Sequence, residues 1–286
     1  MRYNFGDVQF TINSECLLET DGFTDRFRLP DGEVSEGMAE VRYNCVYRAL
    51  DDFGERYPAK VNGMYELYRT PMGTALMYHW GFCRMGYGYL ASELLRKDRM
   101  ECWFAPRMEQ QPPVPMFRFL STAGLHSKLL RYGAAILHAS YIDWNGQAVL
   151  FAAPAQTGKS TQAELWAQHC GADIINGDRV LLRRREKTWH AFGYPCCGSS
   201  NICVNRTLPL RAIVVLEQGQ ENKVLPMTGA EKVRALFAGI ERYLWDTQEM
   251  DIALNLAQEL ALETDVVRLV CRPDAQAVSV LQDYLK

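Results

Sequence analysis

Near the start of the chain apolar side chains fall at every second position. Val8, Phe10 and Ile12 alternate with Gln9 and Thr11, the spacing of a strand with one buried face. Glycine-punctuated segments such as TPMGTALMYHWGFCRMGYGYL follow, and residues 1–112 read as a smaller α+β domain whose chemistry is not legible. Its aromatics Tyr65, Tyr68, Tyr78, Trp80, Tyr87 and Tyr89 are read as core and ordinary surface rather than a binding face, because large rings are normally half-buried. Pro112, Pro113 and Pro115 in EQQPPVP forbid helix and strand ladders alike. The domain boundary is placed there, giving units 1–112 and 113–286.

Beyond the prolines, MFRFLSTAGLHSKLLRYG has helical spacing and stops at Gly133, a natural C-cap. Two apolar runs, AAILHASYIDW and QAVLFAAP, then flank Asn145-Gly146, the strongest short-range signal for a tight hairpin. Ala163, Trp166, Ala167 and Cys170 follow the i, i+3, i+4, i+7 stripe of a helix that ends at Gly171. A short strand through Ile174 and Ile175 comes next, and VLLRRREKTWHAF alternates as a second hairpin turning at Glu186-Lys187. A strand, VVRLVCRPD, and a helix, AQAVSVLQDYL, close the pattern. A hairpin that feeds a loop–helix unit makes the sheet mixed. The fold class is therefore α/β, a mixed-sheet domain preceded by the smaller one.

Composition narrows the function classes. The chain has 286 residues, 48% apolar and 23% charged, with a net charge of −3. No broad basic surface recommends nucleic acid or an anionic membrane as a partner. No apolar run approaches the roughly 20 residues a membrane helix needs, and MRYNFGDVQFTIN lacks a basic-then-apolar signal, so a cytoplasmic location is expected. Nine cysteines are scattered without a C-x-x-C pair. The dense region Cys196, Cys197 and Cys203 has no histidine at zinc-ligand spacing, so the expectation is reduced, mostly buried thiols.

The candidate chemistry lies in AVLFAAPAQTGKSTQAELW. Ala153-Pro154-Ala155-Gln156-Thr157-Gly158-Lys159-Ser160, with Thr161 beside it, fits a relaxed phosphate-loop pattern in which alanine replaces the first glycine. Gly158 lets backbone N–H groups approach an anion, Lys159 supplies a point charge, and Ser160 offers a hydroxyl to Mg²⁺. The helix that starts there aims its positive end at the same anion. Asp178, at the far end of the next strand, falls beside the loop as a base and metal ligand, against the plainer reading of a turn aspartate in Asn176-Gly177-Asp178. His138 is assigned to the strand that pairs with the one feeding the loop. Glu217 is a weaker carboxylate candidate, Arg206 and Arg211 are candidate cations, and the GYPCCGSSN loop is expected near the site with Gly193 and Gly198 giving it freedom.

Together, LHAS at His138, the hairpin, the GKST loop with its helix, and GDRV at Asp178 resemble the HPr kinase/phosphorylase catalytic domain. That domain belongs to the wider P-loop group that includes phosphoenolpyruvate carboxykinase. The resemblance covers about residues 131–286. It implies that Lys159 and Ser160 bind a triphosphate and Mg²⁺, and that Asp178 deprotonates an acceptor hydroxyl with His138 and Lys159 close by. The nucleotide would be ATP, another nucleoside triphosphate or pyrophosphate. The acceptor would be a serine-type hydroxyl on a peptide, carrier protein or small molecule, and assembly into a homo-oligomer stays open. This chain departs from the pattern where Gly177 replaces the first aspartate of the usual pair and where Thr161 replaces a glutamate after the serine. The signature linked to phosphorolysis is not visible. The alternative reading is a nucleotide-binding regulator that transfers nothing.

Overall fold

A computed structural model describes residues 1–30, 38–48, 59–61, 65–70, 73–79, 88–92, 97–104, 113–154 and 156–286. By its internal contacts the chain divides into two compact units, Met1–Lys128 and Leu129–Lys286.

The first unit carries strands β1 (Arg2–Phe5), β2 (Val8–Ser14), β3 (Leu18–Glu19), β4 (Ala39–Tyr47), β5 (Ala59–Val61), β6 (Tyr65–Thr70), β7 (Gly73–His79), β8 (Gly88–Ser92), β9 (Arg99–Phe104) and β10 (Val114–Pro115). Eight of them form one sheet in the order β1-β2-β4-β9-β8-β7-β6-β5. Val8, Phe10 and Ile12 are buried along β2, as their alternation predicts. Trp80 and Tyr87 lie outside the described residues.

The division does not fall at the prolines. Helix α1 (Met116–Thr122) belongs to the first unit because Phe119 packs its ring on Tyr43 at 5.7 Å and on Phe104 at 5.8 Å. The Phe117 N–H also donates to Asp21 Oδ2 at 2.8 Å. Among the described residues up to 112 no α-helix occurs, so α1 supplies this unit's helical character. The proline segment also pairs, contrary to expectation. Val114 and Pro115 lie parallel to β3, because the pairing uses the Val114 N–H, which donates to Leu17 O at 3.1 Å. The single helix predicted over MFRFLSTAGLHSKLLRYG is two, α1 and α2 (Leu125–Arg131), broken at Gly124 with φ +77°.

In the second unit, β11 (Ala134–Leu137), β12 (Ala139–Trp144), β13 (Gln147–Ala152), α3 (Lys159–Cys170), β14 (Asp173–Asn176), β15 (Val180–Arg185), β16 (Thr188–Phe192) and β17 (Thr207–Gln218) follow one another. They lead into β18 (Lys223–Leu225), α4 (Gly229–Gly239), α5 (Thr247–Glu263), β19 (Val266–Cys271) and α6 (Ala275–Leu285). The β12–β13 hairpin turns at Asn145 and Gly146 with φ +54° and +77°. Positive φ at both positions is what a type I′ turn demands. β13, β17 and β19 run parallel, while β12, β14 and β18 pair antiparallel with their neighbours. The sheet is mixed, as the hairpin implies. The start of the long β17 also pairs with β16, which carries β15 and β11 with it.

This arrangement corrects one strand assignment. AAILHASYIDW is not one strand. β11 pairs with β15, β12 pairs with β13, and His138 sits where the chain crosses from one set to the other.

The two faces of the sheet bury different partners. Tyr141, Leu150 and Ile213 join Leu236, Leu256 and Leu260 of α4 and α5 in one core. Ile142, Phe151 and Val214 join Trp166 of α3 and Leu281 of α6 in the other. α4 opens on a capping box in which Thr228 Oγ1 accepts from the Glu231 N–H and Glu231 accepts from the Thr228 N–H, satisfying two otherwise orphaned donors. The predicted stripe on α3 is buried at Ala163 and Trp166 and partly buried at Ala167 and Cys170, and the helix ends on Gly171 at φ +64°. Among the described residues no helix is long and apolar enough to cross a membrane, and none of the eight described cysteines forms a disulfide.

Candidate phosphate-binding site

The carboxyl ends of β13 and β17 lie at one edge of the sheet, since the two strands are parallel and in register. β14 points the same way, because it is antiparallel to β12 and β12 is antiparallel to β13. In sheets with parallel strands, ligands gather outside such ends. The chain places its candidate residues along that edge.

A cleft of about 310 Å³ opens there, lined by His138, Gly158, Lys159, Ser160, Thr161 and Asp178 among others. Gly158 caps α3 with φ +109°, a conformation that side chains rarely adopt. A Cβ added there would meet no atom within 4 Å. The constraint at Gly158 is therefore in the backbone, and space for a ligand remains above it. The first N–H groups of α3 have no intrahelical acceptor, and the residues that carry them line the cleft. Lys159 is only 7% exposed, and its Nζ donates to Ala153 O at 3.0 Å and Pro154 O at 3.2 Å.

The loop residues do not share one role. Gln156, Gly158, Lys159, Ser160 and Thr161 line the cleft, whereas Thr157 faces a neighbouring pocket on the α3 side. Ala153 and Pro154 line a third pocket and hold Lys159 through their carbonyls. Ala155 lies outside the described residues.

Asp178 is set by a tight turn. Asn176 is fully buried. Its Oδ1 accepts from the N–H groups of Asp178 and Arg179 at 2.9 Å each, and its Nδ2 donates to Tyr194 O at 2.7 Å. Ser140 Oγ donates to Gly177 O at 2.9 Å. Asp178 Oδ1 then meets His138 Nε2 at 2.9 Å, and Asp178 Oδ2 accepts from Arg179, whose Nε donates to Glu241. The GYPCCGSSN loop closes over this turn. A Cβ at Gly198, where φ is +56°, would sit 2.9 Å from Asp178 Cγ, and one at Gly177 would sit 2.2 Å from Ser200 Oγ.

Burial holds the His138 imidazole below its ordinary value of 6.5, with Arg179 and Lys159 pushing the same way and Asp178 opposing. His138 is thus neutral near pH 7 and donates its Nε2–H to Asp178. A group held low in the folded state stabilises it above the unfolded value, and that contribution is lost as pH falls through the folded value. His138 should titrate below 6.5 in an NMR pH series, and Arg179→Met should move the midpoint upward. A midpoint at or above 6.5 in the unaltered protein would contradict the arrangement.

Other sequence candidates lie elsewhere. Arg206 is bound to Asp143 at 3.0 Å and Asp173 at 2.8 Å. Arg211 is bound to Asp265 at 3.3 Å and Leu285 O at 2.7 Å. Asp143, Asp173 and Asp265 lie at or beside the strand ends away from the loop, and Leu285 closes α6. Glu217 pairs with Arg268 at 3.5 Å and does not line the cleft. Sequence reading overlooked Arg179, although it adjoins Asp178 in GDRV, and Glu241, which only the packing of α4 brings into range.

A family profile described as "SynChlorMet cassette protein ScmC" matches residues 102–273. No curated protein matches the chain. Among solved structures, the chain is similar to the HPr(Ser) kinase/phosphatase from Coxiella burnetii, with 11% identity, 52% of this chain and 89% of that chain covered, and a TM-score of 0.32.

Proposed function

The chain belongs to the ScmC family of SynChlorMet cassette proteins, and from that premise we propose that it is an ATP- and Mg²⁺-dependent kinase acting on a serine-type hydroxyl. One observation carries the reading: the loop lysine and serine and the hydrogen-bonded His138–Asp178 pair line the same cleft. The motif series GKST and GDRV, with its resemblance to HPr kinases, gives the same residues the same roles.

Phosphoryl transfer asks for positioning and charge neutralisation more than covalent chemistry. Lys159 and the first N–H groups of α3 would hold the β- and γ-phosphates. Asp178, oriented by His138 and the Asn176 turn, would accept the proton of the acceptor hydroxyl as the phosphoryl group leaves ADP. Arg179 supplies a fixed cation beside it.

Mg²⁺ is usually held by one or two carboxylates together with substrate phosphates, and the cleft offers the Ser160 hydroxyl and the Asp178 carboxylate. Ser160 and Asp178 are the residues that would hold it, and when bound it would neutralise charge on the phosphate oxygens.

The family name marks one member of a cassette, so the acceptor is sought among the products encoded with it. Incubation with γ-labelled ATP and Mg²⁺ should transfer label to one of those products or to a serine peptide. A second reading, a regulator that binds nucleotide without transferring phosphate, draws on Gly177, where the expected second carboxylate is missing. Tight nucleotide binding with no labelled acceptor would favour it and overturn the kinase.

A further inference from the structure

Two pockets flank the phosphate cleft, and they differ in kind. One, of about 570 Å³, shares Gln156, Gly158 and Thr161 with the cleft and is otherwise lined by Gln162, Gln218 and Arg272 among others. The other, of about 630 Å³, shares only His138 with the cleft. Its walls are aliphatic and small (Ala152, Val215, Met227, Ala235, Ala238 and Ile240), with Arg179, Arg234 and Arg268 set against Glu231 and Glu241.

In-line transfer puts the leaving and attacking oxygens on opposite sides of the moving phosphoryl group. The pocket that shares Gln156, Gly158 and Thr161 with the cleft is assigned to the nucleotide; the other, which Ala153 and Pro154 also line but which meets the cleft at His138, beside Asp178, is assigned to the acceptor.

The cations of the second pocket differ in how they are held. Arg179 lies between Asp178 and Glu241, and Arg268 between Glu217 and Glu231. The Arg234 side chain is exposed on α4 and has no ion-pair or hydrogen-bond partner among the described residues. A cation left over at the rim of an aliphatic pocket complements a ligand with an apolar body and one anionic group. Arginine's planar fork fits a carboxylate in particular.

We infer that this pocket binds a carboxylate-bearing acceptor, with the aliphatic part of the acceptor against Ala235, Ala238 and Met227 and its carboxylate on Arg234. The kinase reading supplies the word acceptor; the carboxylate site itself is read by binding alone. The carboxylate could belong to an acidic side chain or to a peptide C-terminus, and the test separates the two.

The probes are fluorescent serine peptides with a leucine neighbour, in two matched series: aspartate against asparagine near the serine, and a free C-terminus against an amide. The full chain should bind the acid member of at least one series more tightly than its amide twin. Arg234→Ala should weaken the acid member about tenfold and leave the amide member alone, in line with the loss of a charge-assisted hydrogen bond. Arg234→Glu should reverse the preference. Ala238→Trp, which fills the pocket, should weaken both members. Melting curves establish that each variant is folded. Equal binding of acids and amides, or acid binding indifferent to Arg234, overturns the inference. Failure of the unaltered protein to bind Mg²⁺–ATP would instead sink the kinase reading and leave this result standing.

Discussion

Asp178→Asn should leave Mg²⁺–ATP bound and slow phosphoryl transfer by about 10²–10⁴-fold, the usual worth of a positioned general base. The substitution keeps the shape of the side chain, so the Asn176 turn and the approach of Gly198 are undisturbed. What changes is charge and basicity: the group can no longer take the hydroxyl proton, and Arg179 loses an ionic partner. On the kinase reading, nucleotide affinity would rest mainly on Lys159 and the start of α3, and the carboxamide oxygen of the variant would still face the metal beside Ser160. Removing a negative charge near the terminal phosphate should hold that affinity constant or raise it. Single-turnover transfer and equilibrium dialysis separate the two effects. Wild-type transfer rates in the variant would strip Asp178 of its role. Lost nucleotide affinity would mean that it serves chiefly to hold the metal.

Trp166→Ala is the substitution expected to cost the second unit most, about 3–5 kcal/mol for a fully buried tryptophan. Trp166 is fully buried, meets Trp144 edge-on with centroids 5.2 Å apart, and tilts against Phe151 at 6.1 Å. Domains are stable by only about 5–15 kcal/mol, so the variant should sit near the edge of folding. Hydrogen exchange of β13 amides in rising urea would report this unit by itself. Trp166→Phe makes the comparison sharper. The Trp166 Nε1–H is buried without an acceptor among the described residues, and an orphaned donor costs about 1–3 kcal/mol. Phenylalanine loses contact area but also sheds that penalty, so it should fall much closer to the parent. An alanine variant as stable as the parent would show that this contact is not the keystone of the face.

The second prediction bears on the first, because Trp166 anchors the helix whose other end carries Lys159 and Ser160. Local signals of this kind were readable from sequence. Asn145-Gly146 announces its turn through two residues that tolerate positive φ, and Gly171 announces the end of α3. The His138 crossing was hidden because AAILHASYIDW is almost wholly buried on both sides of it, and the one polar side chain where pairing changes from β15 to β13, His138 itself, reads equally well as a residue within a strand. α4 and α5 went unread, although Thr228-Gly-Ala-Glu231 carries a capping signal. At the site, Asp178 and the loop could be found from spacing, whereas the choice of arginine could not. Arg206 and Arg211 are near neighbours in sequence of a promising strand, yet their partners lie at its other end. Glu241 holds Arg179 from 62 positions further along the chain. Such pairings are made by tertiary packing and leave no local trace.

The contact between Ser200 and Gly177 has a consequence for how this protein could ever change. A carboxylate cannot be added at 177 by itself, because its first carbon would occupy the space of the Ser200 hydroxyl. Position 200 would have to shrink or its loop withdraw at the same time. The two sites are locked into a joint choice, and a second acid at 177 is not reached by a single missense step.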